Sequence, residues 1–321
     1  MKLGIAGAGM IVKEALGVLN DLDIDLKGIC ARKNSEEKLK KLSEKHNIAN
    51  YYTDFDDMLR NNEIDTIYVA VPNILHYEFC KKALEAGKNV ICEKPFTVSL
   101  NELEKLNDLA VKNNLILIEA ITTLYLENFL EIERIVKNGE IGEVKLVCAN
   151  FSQYSSRYDN FRKGIISPSF DPKFAGGSLM DLNIYNIHFI CAIFGQAREV
   201  RYIPSIEKNI DVSGVLILTY PDKECVSIAS KASNCTKNMQ IQGSKATISM
   251  DVPTNGCESF SIYKKGEGEE EFNLNKYNHR MCREFIEIEK IIDNKDFNMA
   301  EKMMEKSLIV MSVVEKARKV L

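Results

Sequence analysis

Short apolar runs and longer amphipathic stretches alternate along the first part of the chain. A short apolar run is typical of a strand buried on both faces, whereas apolar residues recurring every three or four positions predict a helix. Strands are predicted at residues 3–6, 26–30, around Tyr51, 66–70, 89–92 and 115–119. Helices are predicted at residues 11–22, 35–45, 54–60, 76–86 and 100–113. This order predicts a parallel sheet with helices on both faces.

The pattern changes near residue 122. Helices are predicted at residues 127–137, 178–194, 277–292 and 299–320, a strand at 144–151, and a polar aromatic loop at 152–172. Two hairpins are predicted, with strands 215–219 and 226–229 around Pro221-Asp222, and strands 240–242 and 246–250 around Gly243-Ser244. The fold class is therefore α/β. Residues 1–121 form a nucleotide-binding domain, and residues 122–321 form an α+β domain with an open, mainly antiparallel sheet, whose C-terminal helix can return to the first domain.

Composition narrows the class of protein. The 321 residues suffice for two domains, and 42 Lys and Arg against 46 Asp and Glu, with no basic run, argue against a nucleic-acid partner. No apolar stretch reaches the ~20 residues of a membrane span, and the N-terminus enters a strand at once, so a cytoplasmic protein without a membrane partner is expected. The nine cysteines form no Cys-x-x-Cys pair and the four histidines do not cluster, so we expect core thiols and no metal.

A glycine turn, Gly7-Ala8-Gly9-Met10-Ile11, joins the first strand to the first helix. Its two glycines permit a sharp turn and let backbone N–H groups approach a pyrophosphate at the helix N-terminus. Val12 occupies the third glycine position of the dinucleotide fingerprint, so a tight structural connection is the alternative. In this order of strand, turn and helix, the turn favours a Rossmann domain that binds a nicotinamide cofactor.

The residues after the second strand bear on which cofactor binds. NAD-selective sites usually place a carboxylate there to accept hydrogen bonds from the adenosine ribose. This chain has Ala31-Arg32-Lys33 instead, and two cations suit a 2′-phosphate. NADP is therefore favoured, with NAD still possible and a solvated loop charge as the alternative.

Polar residues that could act on a substrate occur at two places. Glu93-Lys94-Pro95 follows the strand at residues 89–92, where a Rossmann sheet presents its ligand. The apolar helix predicted at residues 178–194 carries Asp181, Tyr185 and His188, and their spacings of four and three place them on one stripe. A polar stripe on a buried helix must face a site or its own partners, because an unsatisfied buried polar group costs roughly 1 to 3 kcal/mol.

These motifs together resemble the glucose-fructose oxidoreductase, inositol dehydrogenase and MocA (Gfo/Idh/MocA) family. The matching segments, which span essentially the whole chain, are Gly7-Ala8-Gly9-Met10-Ile11, Val71-Pro72-Asn73 with His76, Glu93-Lys94-Pro95, Glu119-Ala120, and Gly176-Gly177-Ser178-Leu179-Met180-Asp181 followed by Tyr185. The resemblance implies an NAD(P)-dependent enzyme that transfers hydride to or from a sugar, cyclitol or related diol. The commoner family pattern has glycine and histidine where this chain has Asn183 and Tyr185, which resembles the branch containing glucose-fructose oxidoreductase, sugar dehydrogenases and dihydrodiol dehydrogenase.

The resemblance implies that Lys94 and Tyr185 act on the substrate, and Asp181 is also predicted to be catalytic and to contact it. Hydride can leave a carbinol carbon only if the hydroxyl proton also leaves, so a base must lie within hydrogen-bond reach. Tyr185 is the predicted base, because a neighbouring Lys94 ammonium would favour its phenolate form. Lys94 itself is the alternative acid or base. Asp181 is predicted to orient the substrate hydroxyls.

The remaining predicted contacts surround these groups. Further cofactor contacts are predicted for Val71, Pro72, Asn73, His76, Glu93, Lys94 and Glu119. Glu93 would hold the nicotinamide ribose, helix capping is the alternative role of Asn73, and Lys94-Pro95 is predicted to be a cis peptide. Further substrate contacts are predicted for Tyr125 and Tyr158, with Tyr154, Arg157 and Arg162 as additional candidates; surface or subunit contacts are their alternative.

Two other functions stay open. One is a regulatory protein that binds a dinucleotide without turnover, although such proteins can lose the groups retained here as Lys94, Asp181 and Tyr185. The other is a dehydrogenase of a dihydrodiol or a small carbonyl compound. Because exposed open sheets tend to be covered, we also expect a homodimer or homotetramer formed through the second domain.

Overall fold

The structure, a computed structural model, describes residues 1–22 and 24–321. The chain forms two compact units. The first unit comprises Met1–Ala120 and Met281–Leu308, and the second comprises Ile121–Arg280 and Ile309–Leu321. Among the described residues, no helix has both the length and the apolar character needed to cross a lipid bilayer.

Six parallel strands form the sheet of the first unit. They are β1 (Lys2–Ala6), β2 (Asp25–Cys30), β3 (Tyr51–Tyr52), β4 (Thr66–Val69), β5 (Asn89–Glu93) and β6 (Leu117–Ala120), in the spatial order β3-β2-β1-β4-β5-β6. The intervening helices are α1 (Met10–Leu19), α2 (Glu36–Lys45), α3 (Phe55–Leu59), α4 (His76–Glu85) and α5 (Leu100–Lys112), with short 3-10 turns at Lys33–Ser35 and Asn73–Leu75. The strand order reverses between β1 and β4, and sheets of this kind bind ligands outside the carboxyl ends of the strands at that reversal. The predicted Rossmann fold is confirmed.

Apolar side chains fill both faces of this sheet. Ile5, Ile67 and Ile91, on three adjacent strands, are each 0% exposed. Phe285, on a helix near the C-terminus, is also fully buried and meets Tyr68 edge-on, with 5.4 Å between ring centroids. Truncating such a phenylalanine typically costs about 3 to 5 kcal/mol, so this late helix is an integral part of the first unit.

An eight-stranded mixed sheet forms the second unit. Its strands are β7 (Val144–Ser152), β8 (Glu199–Glu207), β9 (Ile210–Thr219), β10 (Glu224–Ser230), β11 (Met239–Gly243), β12 (Ala246–Met250), β13 (Phe260–Lys264) and β14 (Gly268–Phe272), in the order β14-β13-β12-β11-β7-β10-β9-β8. Only β7 and β10 pair in parallel, so the predicted, mainly antiparallel sheet is confirmed for the described residues.

Helices and tight turns complete the chain. The remaining helices are α6 (Glu127–Lys137), α7 (Tyr158–Arg162), α8 (Ile184–Phe194), α9 (Arg280–Asp293) and α10 (Phe297–Arg318). A π-helical turn, Leu179–Asn183, precedes α8, and 3-10 turns lie at Thr122–Tyr125, Pro168–Phe170 and Pro172–Phe174.

Within residues 1–120, the bounds of two elements differ from the predicted ones by more than one residue. Strand β6 starts at Leu117 rather than at residue 115 because α5 closes through Asn114, whose φ of 54° is left-handed, and the Leu115 amide then donates to the Ala110 carbonyl at 2.9 Å. Helix α1 ends at Leu19 rather than at residue 22. Residues 20–22 form a turn.

The second unit departs more from prediction. The expected continuous α-helix at 178–194 is interrupted: residues Leu179–Asn183 form a π-helical turn, and α8 begins only after it. The predicted loop at 152–172 contains α7. The β8–β9 hairpin escaped prediction because its turn residues Lys208 and Asn209 both take positive φ, a conformation that Asn-Gly signals far more clearly than Lys-Asn.

Candidate active site

The glycine turn after β1 requires glycine at its first position. Gly7 has a φ of +129°, and a Cβ there would lie 2.2 Å from the Ala70 carbonyl oxygen. At Gly9 a Cβ would meet nothing within 4 Å, so the turn is open on that side. The turn therefore packs against β4 at Gly7 and leaves room above Gly9 for a ligand at the start of α1.

A cleft of about 610 Å³ lies above this turn. Its lining includes Gly7, Ala8, Gly9, Ile11, Arg32, Asn34, Ser35, Lys38, Ala70, Val71 and Pro72. The volume of this cleft is in the range of ligand pockets. The cleft extends from the N-terminus of α1 to the cationic residues that follow β2. The residues present thus fit a dinucleotide with an additional phosphate. Of the other predicted contacts, Met10 is 68% exposed at the start of α1, and Lys33 is exposed in the 3-10 turn Lys33–Ser35.

Lys38 was not predicted as part of this cleft. Its Nζ donates to the Ala8 carbonyl oxygen, which ties α2 to the glycine turn. The pattern of α2 places Lys38 on a polar helix face and carries no signal for that contact. Only the fold brings residues 30 positions apart together.

Glu93 and Lys94 lie at the carboxyl end of β5. Glu93 is 7% exposed and accepts a hydrogen bond of 2.5 Å from the hydroxyl of Tyr68 on β4. The Lys94 backbone amide donates to Glu93 Oε2 at 3.3 Å, and the predicted cis peptide at Lys94-Pro95 is confirmed. Because burial, reinforced by the nearby Glu93 carboxylate, raises the pKa of Tyr68 well above 10, its hydroxyl stays protonated as the donor.

His76 connects the segment after β4 to the segment after β5. Its Nδ1 lies 2.9 Å from the Pro95 carbonyl oxygen and its Nε2 lies 2.9 Å from the Val71 carbonyl oxygen. Burial lowers the pKa of His76 below its ordinary value. Asn73 begins the 3-10 turn that precedes α4, and Leu75 holds the N-cap position of α4. Both the cofactor contact and the alternative capping role of Asn73 stay predictions.

Glu119, near the end of β6, is buried and accepts hydrogen bonds beside the segment that follows β5. It is 3% exposed, and its two oxygens accept from the Phe96 amide at 3.1 Å and the Ser307 hydroxyl at 2.6 Å. Its predicted contact with the cofactor stays a prediction. The observed contacts show that Glu119 fixes the chain two residues beyond Lys94.

The Gly176-Gly177-Ser178 motif of the second unit is explained by a carboxylate outside it. Asp211 on β9 accepts from the Leu179 amide at 2.7 Å, from Ser178 Oγ at 2.9 Å and from the Tyr202 hydroxyl at 2.8 Å. Gly177 has a φ of +107°, and a Cβ there would lie 2.0 Å from Asp211 Oδ1. Asp211 thus holds the start of the helical segment that carries Asp181.

Asp181 and Tyr185 differ in their surroundings. Asp181 forms an ion pair of 2.8 Å with Lys231, and its side chain is 36% exposed while that of Lys231 is 2% exposed. Tyr185 is 6% exposed and packs against Phe151, with 5.8 Å between ring centroids. His188, further along α8, is 1% exposed.

Tyr158 and Tyr125 are buried, whereas Tyr154 is 40% exposed. Tyr158 donates to Glu207 at 2.6 Å, and its ring packs in a cluster with Phe161 and Phe170. Tyr125 lies in the 3-10 turn Thr122–Tyr125 and is 5% exposed. Tyr158 therefore stabilises the segment around α7, and direct contact of either tyrosine with substrate stays a prediction.

Sequence reasoning missed Tyr68, Asp211 and Lys231, which support the candidate residues. Asp211 carried a usable signal, because a lone carboxylate between Ile210 and Val212 in an apolar strand must find partners when buried. Tyr68 and Lys231 carried none, since tyrosine is common in strands and lysine is common where a strand ends.

Comparisons with known proteins agree across both units. Residues 1–121 match an oxidoreductase family with an NAD-binding Rossmann fold, and residues 129–249 match the GFO/IDH/MocA C-terminal domain. The chain is 32% identical over 321 residues to the scyllo-inositol 2-dehydrogenase (NADP(+)) of Bacillus subtilis, which covers 99% of this chain and 96% of the relative. It is 28% identical over 280 residues to the trans-1,2-dihydrobenzene-1,2-diol dehydrogenase of Xenopus tropicalis, covering 85% of this chain and 81% of the relative.

A solved structure shares the fold. The crystal structure of a 3-ketoreductase from Actinomadura kijaniata, in complex with NADP and TDP-benzene, superposes with a TM-score of 0.86. The match covers 99% of this chain and 97% of the ketoreductase at 21% identity. At that identity the likeness shows the fold alone.

Proposed function

The chain belongs to the Gfo/Idh/MocA family of oxidoreductases, and from that premise we propose hydride transfer between NADP(H) and a hydroxyl-bearing or carbonyl carbon of a sugar, cyclitol or related diol. One observation carries the proposal. Lys94 directly follows β5, in the same parallel sheet whose β1 leads into the glycine turn, so a cation stands at the ligand-binding edge of a dinucleotide domain. The identity to a scyllo-inositol dehydrogenase supports the substrate class.

Three side chains are proposed to act on the substrate. A nicotinamide bound in the cleft would supply or accept the hydride. Lys94 donates a hydrogen bond to the reacting oxygen, which stabilises negative charge on it during carbonyl reduction. Tyr185 exchanges the proton of that oxygen, as expected for a Tyr-type member of the family, and Asp181 accepts hydrogen bonds from neighbouring hydroxyls. In the alternative, Lys94 itself exchanges the proton.

NADP is proposed in preference to NAD. Arg32 lines the cleft together with Asn34, Ser35 and Lys38, which offer hydrogen-bond donors and positive charge to a 2′-phosphate. The first residues after β2 are Ala31 and Arg32, so no carboxylate stands where NAD enzymes usually hold the adenosine ribose. The name of the Bacillus relative also specifies NADP(+).

We propose that the protein assembles as a homodimer or homotetramer through the open sheet of the second unit. On one face Cys148, Val226 and Ile217 stand in register on three adjacent strands, and the next row holds Ile228, Val215 and Ile203. Ile203 is 49% exposed and its row neighbours are half-buried, so this aliphatic face suits a second copy of the chain.

The assembly is tested by placing a charge in the centre of that face. Val226→Lys is expected to yield a smaller species by light scattering, because a lysine cannot be buried unpaired in an apolar interface. Thr219→Lys, at the margin of the same face, is the control. An unchanged mass for Val226→Lys would exclude this face as the interface. A cytoplasmic location is also proposed, since most of the cysteines are buried thiols.

Cofactor titration followed by turnover assays tests the reaction. We expect tighter binding of NADPH than NADH by fluorescence, and absorbance change at the nicotinamide band with at least one aldose, inositol or diol or its carbonyl counterpart. Lys94→Met should abolish turnover and retain NADPH binding, while Lys112→Met, an exposed lysine on α5, should change neither. Full turnover in Lys94→Met would refute its role. Tight NADPH binding without turnover across the panel would favour the regulatory function instead.

Tyr185→Phe separates the two proton-transfer assignments. If Tyr185 exchanges the proton, the variant should lose about 10²- to 10⁴-fold in kcat, the usual contribution of general acid-base catalysis. If Lys94 does, Tyr185→Phe should mainly raise KM.

A further inference from the structure

Lys231 is a buried lysine directly after β10, and no feature of the sequence marks it. Its Nζ lies 2.8 Å from Asp181 Oδ2 and 2.5 Å from the Ser169 carbonyl oxygen, and 4.2 Å from the ring centroid of Phe170. Lysine is almost never fully buried unless its charge is paired. Here an ion pair, a carbonyl and an aromatic face together surround the ammonium, so its position is closely determined.

The backbone of Lys231 is equally constrained. Its amide donates to the Val212 carbonyl at 2.8 Å, and its carbonyl accepts from the Ser155 amide at 2.9 Å. The side chain therefore starts from a fixed point between β9 and the segment that leads into α7. The side chain is 2% exposed along its length and ends at Asp181.

The ion pair is asymmetric with respect to solvent. The Asp181 side chain is 36% exposed and the Lys231 side chain is 2% exposed, so the cation lies behind the carboxylate. A buried ion pair adds little net stability compared with apolar packing, because desolvation opposes the attraction. An opposite charge at this distance does, however, strongly favour the ionised carboxylate and restrict its orientation.

We propose that Lys231 is a positioning residue for the reaction. It keeps Asp181 ionised and oriented for the substrate hydroxyls, and through Ser169 it fixes the 3-10 turn Pro168–Phe170 to the segment that carries Asp181. This inference rests on the proposed function, because it takes Asp181 as a substrate-binding group.

Other titratable or charged groups surround the pair. Asp211 holds Leu179, two residues before Asp181, and Tyr202 donates to Asp211. Arg157 Nη1 lies 3.5 Å from Ser169 Oγ, and Tyr185 follows Asp181 along the helical segment. Under the proposed function, Lys94 meets the same substrate. A pH profile must therefore be compared between variants that differ only at Lys231 or Asp181.

The decisive measurement is the pH profile of kcat/KM in wild type, Lys231→Met and Lys231→Arg, with a substrate that the wild type turns over. Lys231→Met removes the cation and keeps a side chain of similar length. The fall of kcat/KM on the acid side of the profile should therefore move to higher pH by about 1 to 3 pH units. KM should rise by a larger factor than kcat falls. Lys231→Arg keeps the charge and should bring the acid-side fall back toward the wild-type pH. Asp181→Asn should abolish the acid-side fall. NADPH affinity, a property of the first unit, should stay within about twofold.

Two results would overturn the inference. In the first, the acid side of the kcat/KM profile of Lys231→Met stays at the wild-type pH. A uniform fall in activity at every pH would then indicate a structural role alone. The second result would come from the Tm values of four proteins: wild type, Asp181→Asn, Lys231→Met and the double variant. If the Tm shift of the double variant equals the sum of the two single shifts, the two side chains are not coupled. The Tm measurements need no turnover, so they test the pair even if the wild type acts on no polyol. Absence of turnover on every polyol would refute the proposed function and not this inference.

Discussion

The hydroxyl of Tyr68 on β4 donates a hydrogen bond of 2.5 Å to the carboxylate of Glu93 at the end of β5. Both side chains are buried, and Glu93 directly precedes Lys94. The contact therefore joins two neighbouring strands at the edge where the proposed reaction occurs. The contact fixes the orientation of the Glu93 carboxylate. The sequence alone predicted only that this carboxylate would contact the cofactor ribose.

Tyr68→Phe should destabilise the protein and weaken its activity. The variant leaves the Glu93 carboxylate buried without this donor, and a hydrogen bond to a charged group contributes about 1.5 to 3 kcal/mol to stability. We expect the free energy of unfolding in urea to fall by that amount, with a lower kcat/KM because Lys94 follows Glu93. Tyr51→Phe, which removes the hydroxyl of a tyrosine that is 40% exposed, is the control and should change stability by less than about 0.5 kcal/mol. Equal effects of the two variants would contradict the importance of the Tyr68–Glu93 contact.

Gly177→Ala should be strongly destabilising. The position has a φ of +107°, and the new Cβ would lie 2.0 Å from Asp211 Oδ1, so the carboxylate that holds Leu179 must move. Strained backbone and a broken buried network together should cost about 2 to 5 kcal/mol. Gly17→Ala in α1 is the matched control, because its Cβ would meet nothing within 4 Å and alanine in a helix should stabilise by about 0.5 to 1 kcal/mol. A Tm for Gly177→Ala at or above that of the wild type would exclude this account of the motif.

His76 should make stability fall on mild acidification. Burial lowers the pKa of His76 below 6.5 in the folded state and outweighs the opposite effect of its hydrogen bonds to the Pro95 and Val71 carbonyls. Between that lowered pKa and 6.5 the unfolded chain binds more protons than the folded chain, so acidification through this window favours unfolding. The stability that neutral His76 contributes is present above pH 6.5 and is lost as pH falls toward the folded-state pKa.

The comparison variant for this effect is His76→Gln, which cannot titrate. The difference in unfolding free energy between wild type and His76→Gln, measured in urea from pH 8 to pH 5, should shift against the wild type below pH 6.5. A difference that is constant over this range would show that His76 titrates alike in both states.

The first unit could be predicted closely because its determinants are local. An apolar run such as that of β5, the glycine turn at Gly7 and the amphipathic pattern of α5 each specify their own element. The chain order of these elements then predicts which strand ends meet. The positions of Arg32 and Lys94 at that sheet edge follow from the same local signals.

The supports of the candidate site could not be predicted, because they are long-range. Asp211 reaches Leu179 across 32 residues, and Lys231 reaches Asp181 across 50. Neither separation corresponds to a helix or strand period, so only the pairing of β9 and β10 brings these charges to the helical segment. The π-helical turn at Leu179–Asn183 is a further tertiary effect, since buried Asn183 accepts from Ser227 on β10.

Arg32→Ala should reduce the preference for NADP. A guanidinium that hydrogen-bonds a phosphate typically contributes about 1.5 to 3 kcal/mol, so the Kd of NADPH should rise about 10- to 100-fold. NADH lacks the 2′-phosphate, so its Kd should change by less than about threefold. Lys33→Ala is the comparison variant, because Lys33 is the second predicted phosphate-binding cation and lies exposed in the turn that follows Arg32. Comparing the two variants assigns the selectivity to one cation or to both. If Arg32→Ala weakened NADPH and NADH equally, Arg32 would contact the adenosine that both cofactors share and the 2′-phosphate would be bound elsewhere.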